Sequence, residues 1–234
     1  MFEKLQLETH GFCNRACPTC LRQTYPEIPS RLKQNDSLPL KVVKRLLLEA
    51  KEDLGFQGIV DFTGFDEPLA DPRLPEFIKE ANKLGFFTWV NTNGDYLDED
   101  LASEIQNLDY IVISKFDDEE KEYFRNLLPN TEVVFYSEEH VTTHYSPNPD
   151  LKKLIKERVQ QPCLDHSRLI IDCNGKMALC PEDIGQVFSL GNIWDSTLRE
   201  LWFSKKHQNI VNTLKQAGRR LKYEYCKICP HPIT

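Results

Sequence analysis

The sequence predicts an α/β fold, an open partial (β/α) barrel of about five parallel strands with a small C-terminal extension. Three observations predict it. Short apolar runs rich in β-branched residues alternate with helical patterns over residues 1–137. That alternation stops after residue 137. The cysteines fall in two groups, one just behind the first run and the other toward the C-terminus.

The elements follow in order. Residues 4–9 read as a strand. A helix is predicted over 39–54, because Val42, Val43, Leu46, Leu47 and Ala50 share one face at helical spacing. Residues 57–62 are a second strand. Residues 72–84 are a helix with Pro72 in its first turn and Gly85 as its stop. A third strand over 86–91 precedes a helix over 97–108, and a fourth strand covers 110–114. The helix at 117–128 carries acids in its first turn and ends before Pro129. Residues 132–136 are a fifth strand. A β-α-β-α order implies parallel strands with helices outside. These strands are too few for a closed eight-stranded barrel, hence the open form.

Residues 138–149 hold two histidines and two prolines with no period, so they read as a loop. A charged helix is expected over 150–160. A hairpin then pairs 168–172 with 176–179 around Asn174-Gly175. Two helices follow near 196–203 and 205–217. The expected division is 1–137 for the barrel, 138–162 for a connecting loop and helix, and 163–234 for the extension.

Lys and Arg number 29 against 36 Asp and Glu, a net charge of −7, which argues against nucleic acid as a partner. No apolar run reaches the roughly 20 residues needed to span a bilayer, and the N-terminus has no secretory pattern. With 8 cysteines and no export signal, a reducing cytoplasmic setting is expected, in which clustered thiols serve metals rather than disulfides.

Cys13-x3-Cys17-x2-Cys20 lies just after the first strand. Three thiolates can each take one iron of a [4Fe–4S] cube, which leaves one iron open to a chelating ligand. The alternative is structural zinc with His10 as fourth ligand. Cys163, Cys180, Cys226 and Cys229 form the second group. Four thiolates close a site, and spacing alone fits a cube and a zinc ion about equally.

Together these motifs resemble the radical S-adenosylmethionine (SAM) superfamily. Its members carry Cys-x3-Cys-x2-Cys after the first strand, and the open iron binds SAM. The resemblance extends to Gly64-Phe65-Asp66-Glu67-Pro68 after the second strand and Thr92-Asn93-Gly94 after the third. It implies that Glu67 holds the SAM amino group, with Asp66, which stands where glycine is usual, either assisting or perturbing it. It implies further cofactor contacts from Thr92, Asn93, Ser114 at the end of the fourth strand, and Thr19, which stands where an aromatic residue is usual. The second cysteine group, with Gly175, Gly191-Asn192-Ile193 and Leu198-Arg199-Glu200-Leu201-Trp202, resembles the SPASM/twitch subgroup. In its short twitch form it implies one auxiliary [4Fe–4S] cluster held by Cys163, Cys180, Cys226 and Cys229.

Phe12-Cys13-Asn14-Arg15-Ala16-Cys17, Glu67-Pro68-Leu69, Thr92-Asn93-Gly94-Asp95-Tyr96-Leu97 and Cys180-Pro181-Glu182-Asp183 are most similar to alcohol-oxidising, aminocyclitol-type members. That similarity implies a small-molecule substrate, hydrogen abstraction at a carbinol carbon, an auxiliary cluster as electron acceptor, and a donor such as flavodoxin or ferredoxin. Such members place an arginine after the fifth strand. Here that stretch offers Glu138, Glu139, His140 and His144 instead. His140 and His144 are candidate proton acceptors. Glu182 and Asp183, next to a cluster ligand, are candidate catalytic acids or, alternatively, a capping pair. Cys173 is left over, either a strand residue or the thiol hydrogen donor an epimerase needs. Epimerisation and a zinc-stabilised binding protein are the alternatives to dehydrogenation. The sequence is silent on oligomeric state.

Overall fold

The computed structural model describes residues 1–18, 20–24, 36–114, 118–136, 151–163 and 166–229. The strands are β1 (Lys4–Leu7), β2 (Ile59–Asp61), β3 (Phe87–Thr92), β4 (Tyr110–Ile113), β5 (Glu132–Phe135), β6 (Arg168–Ile171) and β7 (Met177–Ala178). They form one open sheet in the order β5-β4-β3-β2-β1-β6-β7. Every pair is parallel except β6–β7. The helices are α1 (Leu21–Thr24), α2 (Leu40–Leu48), α3 (Leu74–Lys83), α4 (Glu99–Glu104), α5 (Asp118–Leu127), α6 (Leu151–Arg158), α7 (Leu198–Trp202) and α8 (Lys205–Leu214).

The five predicted strands and the predicted hairpin are present, with one addition. β6 pairs antiparallel with β7, Ile170 opposite Ala178, and also runs parallel to β1 from Lys4–Arg168 to Leu7–Ile171. It is a sixth parallel strand. Its largely buried Arg-Leu-Ile-Ile run suits a strand covered on both faces. The hairpin turn needs glycine at residue 175, where φ is +83° and a Cβ would lie 2.6 Å from Trp194 Nε1.

Three helices end short of the pattern, α8 stopping at Leu214 rather than 217. α2 ends at Leu48 and passes into a π-turn, Glu49–Asp53, so the predicted 39–54 helix changes period midway. α4 is capped by Asp98, whose carboxylate accepts from Leu101 N–H at 2.9 Å, and unwinds at Ile105, short of the predicted 108.

Register decides which face meets the helices. Leu5, Leu7, Val60, Val90, Ile111 and Ile113 are fully buried beside Val43, Leu46, Leu47 and Phe77. The alternate residues Gln6, Asp61, Trp89 and Tyr110 come level across β1 to β4 on the other face. On that face Gln6 and Asp61 are buried, and Trp89 and Tyr110 are half-buried. Lys4 Nζ lies 3.1 Å from Asp61 and 3.7 Å from the Trp89 ring centroid. Gln6 donates to Thr63 O at 2.9 Å.

The apolar core continues without a break into α7 and α8. Thr197 and Glu200 form a capping box at the start of α7. Glu49, in the π-turn, accepts from Leu198 N–H at 2.9 Å, and Arg45 donates to Ile193 O at 2.9 Å. Among the described residues no helix is long and apolar enough to cross a membrane.

His207 makes this packing sensitive to acid. It is fully buried on α8, its Nδ1–H donates to Trp202 O at 2.7 Å, and its Nε2 has no partner. Burial pushes its pKa below the ordinary imidazole value. The unfolded chain therefore protonates first as pH falls. His207's contribution is complete above about pH 6.5 and is lost below it, with a slope of at most about 1.4 kcal/mol per pH unit. Denaturant unfolding of the metal-free chain at pH 7 and pH 5.5 checks this. His207→Gln is expected to flatten the wild-type dependence; His10, also lowered by burial, retains its own share.

Candidate active site and auxiliary metal centre

β1 delivers the chain to Cys13, Cys17 and Cys20, all half-buried free thiols. Cys20 N–H donates to Cys17 O at 3.0 Å, which turns the loop into α1. Arg22 donates to Gly11 O at 2.7 Å and to Phe65 O at 3.1 Å. Glu67 N–H donates to Phe12 O at 2.8 Å. The cysteine loop is thereby fastened to the loop that follows β2.

A second fastening runs to the loop after β3. Arg15 grips Asp95 through both Nε, at 2.7 Å, and its terminal nitrogen. Asn14 donates to the same carboxylate at 2.9 Å and accepts from Asn93 Nδ2 at 2.8 Å. The sequence motifs contain these residues, but their partnership across some 80 positions was not legible.

Burial raises the Cys13 and Cys20 thiols above their ordinary pKa, and each also feels Cys17. Thiolates here call for a cation to offset that cost. Among the described residues no three His, Cys, Asp or Glu side chains close on a single ion. A cube asks for a different arrangement, with each thiolate on a separate iron.

Glu67 is the centre of the adjoining network, 2% exposed. Its Oε1 accepts from Leu69 N–H at 3.1 Å and from the Thr92 hydroxyl, and its Oε2 accepts from Asn93 N–H at 2.8 Å. A carboxylate has about four acceptor positions, so one on Oε2 stays open. Burial raises its pKa; the three donors act the other way. Ser114 N–H donates to Thr92 O at 2.9 Å, which puts Ser114 beside the same strand ends.

Asp66 differs. Its side chain is fully buried, neither oxygen has a hydrogen bond, and His10 Nε2 stands 3.4 Å from Oδ2. Burial first, then Glu8, pushes its carboxyl well above the usual range. His10 itself donates from Nε2 to Glu67 O at 3.0 Å and accepts from Phe12 N–H at 3.4 Å, so it braces the Glu67 loop as a neutral ring. Thr19, His140 and His144 lie outside the described residues, as do Glu138 and Glu139.

Glu67→Ala strands three donors at once. It is expected to cost about 2–4 kcal/mol of stability. Thermal unfolding of the metal-free chain measures the loss.

The second cysteine group closes on one pocket. Cys163, Cys180, Cys226 and Cys229 all line it, with His166, Glu182, Tyr225 and Arg220. Cys163 is held by its N–H to Leu214 O at 2.8 Å. Cys226 lies within the 3₁₀ turn Tyr225–Ile228 and Cys229 follows it directly, and the Tyr225 hydroxyl donates to Glu182 O. Burial, then the neighbouring Cys229 and Cys163, pushes the Cys226 thiol up to about 12.

Of the two acids after Cys180, Glu182 is buried at the pocket wall. Asp183 spends both oxygens on the backbone, accepting from Leu179 N–H at 3.2 Å and Val187 N–H at 2.9 Å. It caps the turn. Cys173 stands apart from the four: it is buried, and burial, Glu8, Asp172 and Asp66 hold its thiol far above its ordinary pKa.

The profile of the radical SAM superfamily matches residues 7–128, and that of the SPASM iron–sulfur cluster-binding domain matches residues 163–230. The chain is 26% identical over 248 residues to S-adenosyl-L-methionine-dependent 2-deoxy-scyllo-inosamine dehydrogenase of Niallia circulans, covering 98% of this chain and 93% of that one. The fold matches the crystal structure of BtrN in complex with AdoMet and 2-DOIA, with a TM-score of 0.78, 21% identity, and 98% and 93% coverage. It also matches anSMEcpe with bound AdoMet, with a TM-score of 0.63, 16% identity, and 97% and 84% coverage. With a match across more than half its length, the chain belongs to the radical SAM superfamily, whose cofactors are a [4Fe–4S] cluster and SAM, and it carries an iron–sulfur SPASM domain behind that core.

Proposed function

We propose that this protein oxidises a secondary alcohol of a small polar substrate, an aminocyclitol or a molecule of similar chemistry, to the ketone. The observation that carries the reading is the convergence of Cys163, Cys180, Cys226 and Cys229 on one pocket, apart from the cysteine triplet. Four thiolates fill a cluster's coordination, which suits an electron acceptor rather than a substrate-binding iron. The end-to-end likeness to a dehydrogenase supports it.

When bound, SAM and its cluster supply a 5′-deoxyadenosyl radical and the auxiliary cluster supplies an electron sink. The chain's own residues do the rest. Cys13, Cys17 and Cys20 hold the first cluster. Glu67 offers its open acceptor position to the SAM ammonium, fixed in place by Thr92 and Asn93. Asp66, neither of whose oxygens makes a hydrogen bond, is a second acceptor for that cation. Ser114 and Thr19 are assigned to the nucleoside. The polar face of the sheet, with Gln6, Asp61 and Trp89 level, receives the substrate. The substrate yields one hydrogen atom from carbon, one proton from its hydroxyl and one electron, a two-electron oxidation in all. His140 and His144 are the proposed proton acceptors, with Glu182 at the cluster wall as a further one. Asp183, already engaged as a cap, is assigned the support of Cys180's turn.

Residues 1–137, 138–162 and 163–234 are proposed as core, connection and twitch-type extension. Flavodoxin or ferredoxin is the proposed donor and the cytoplasm the proposed compartment. Coupled assays on aminocyclitols test the reaction. About one ketone per 5′-deoxyadenosine is expected, with reductant needed only to prime the first turnover. An epimer in place of a ketone, lost in Cys173→Ala while 5′-deoxyadenosine persists, would replace dehydrogenation by epimerisation.

A further inference from the structure

The basic run Arg219-Arg220-Leu221-Lys222 has an inverted burial pattern. Arg219 and Lys222 are exposed, Leu221 is 43% exposed, and Arg220 is 1% exposed. The fold turns a leucine to water and an arginine inward. Arg220 lines the same pocket as Cys163, Cys180, Cys226 and Cys229. Its terminal NH2 donates to Pro162 O at 3.3 Å, while Nε and the other terminal nitrogen have no hydrogen-bond partner. No described carboxylate lies within ion-pair distance of it. Glu182 lines the pocket, and Asp183 is taken up by Leu179 and Val187.

A guanidinium cannot escape burial by losing its proton. Left alone it is costly, so an anion is required beside it. Four cysteine thiolates outweigh the charge of the cube they hold and leave a net anion. Reduction by one electron adds a further negative charge. A fixed cation therefore favours the reduced state over the oxidised one.

We propose that Arg220 is the counter-cation of the auxiliary cluster: its unused N–H groups donate to cluster or cysteine sulfur and raise the cluster's reduction potential, so that it takes the electron released as the substrate radical loses its hydroxyl proton and becomes a ketone. The inference rests on the auxiliary-cluster reading above.

The test uses the full chain with Cys13, Cys17 and Cys20 replaced by alanine, which leaves the C-terminal ligands alone. About four iron per chain is expected; a chain without iron refutes the cluster reading itself. Redox titration followed by electron paramagnetic resonance then compares Arg220, Arg220→Lys and Arg220→Met. Arg220→Met at full iron content is expected to lose at least tenfold in the equilibrium for accepting the electron, a drop of about 59 mV. Arg220→Lys should fall between. An unchanged potential in Arg220→Met overturns the proposal. If Arg220→Met cannot hold iron, the Arg220 chain grown on ¹⁵N-arginine decides. A ¹⁵N hyperfine coupling on the reduced cluster is expected, and its absence overturns the proposal.

Discussion

Cys17→Ala is expected to reduce 5′-deoxyadenosine formation to background, the largest effect of any single substitution in the chain. Three thiolates are the minimum that holds a cube while one iron stays open. The loop has no spare ligand, because the next cysteine along the chain is Cys163, which lines the separate pocket. His10, the fourth ligand in the zinc alternative, is occupied by Glu67 O and Phe12 N–H. Iron should fall from roughly eight to roughly four per chain, as the loss of one cube of two requires. The fold should survive, because Arg22 to Gly11 and Arg15 to Asp95 fasten the loop independently of Cys17. Iron analysis and anaerobic turnover on the same sample separate loss of the cluster from loss of the protein.

Cys226→Ala is expected to have the second largest effect, and a different one. The C-terminal turn contributes Tyr225, Cys226 and Cys229 to the four-cysteine pocket. Removing one of four ligands opens that site and costs metal affinity, and affinity there is also folding energy. Ketone formation should fall at least about 10²-fold, because oxidation then lacks its electron acceptor. 5′-Deoxyadenosine should still form, since Cys13, Cys17, Cys20 and Glu67 are untouched. A ratio of ketone to 5′-deoxyadenosine well below one is the signature to measure. An unchanged ratio would remove the auxiliary cluster from the electron path.

The two cysteine groups were legible because spacing is local and thiolates on short loops have few other uses. The strands were legible because β-branched runs bounded by caps and glycines have few other readings. Contacts distant in sequence were not. The β1–β6 pairing joins Lys4 to Arg168, and no pattern within either segment announces it. The Arg15–Asp95 grip is a pairing of the same kind. Arg220 was not legible for another reason: a basic run ordinarily means a solvated surface, and only the burial of this one member separates it from its neighbours. Asp183 shows the reverse. Its place beside a cluster ligand suggested chemistry, and its two backbone bonds make it a cap. Asp66 was visible as an oddity in its motif, but the lack of a hydrogen bond to either of its oxygens was not.

The most direct test of the account is anaerobic reconstitution of the wild-type chain with iron and sulfide, followed by reduction in the presence of SAM and a carbinol-deuterated aminocyclitol. The predicted result is 5′-deoxyadenosine that carries deuterium, together with the ketone. A preparation with both clusters filled that yields neither across a panel of polar alcohols would contradict it, and so would a colourless chain that takes up zinc and no iron.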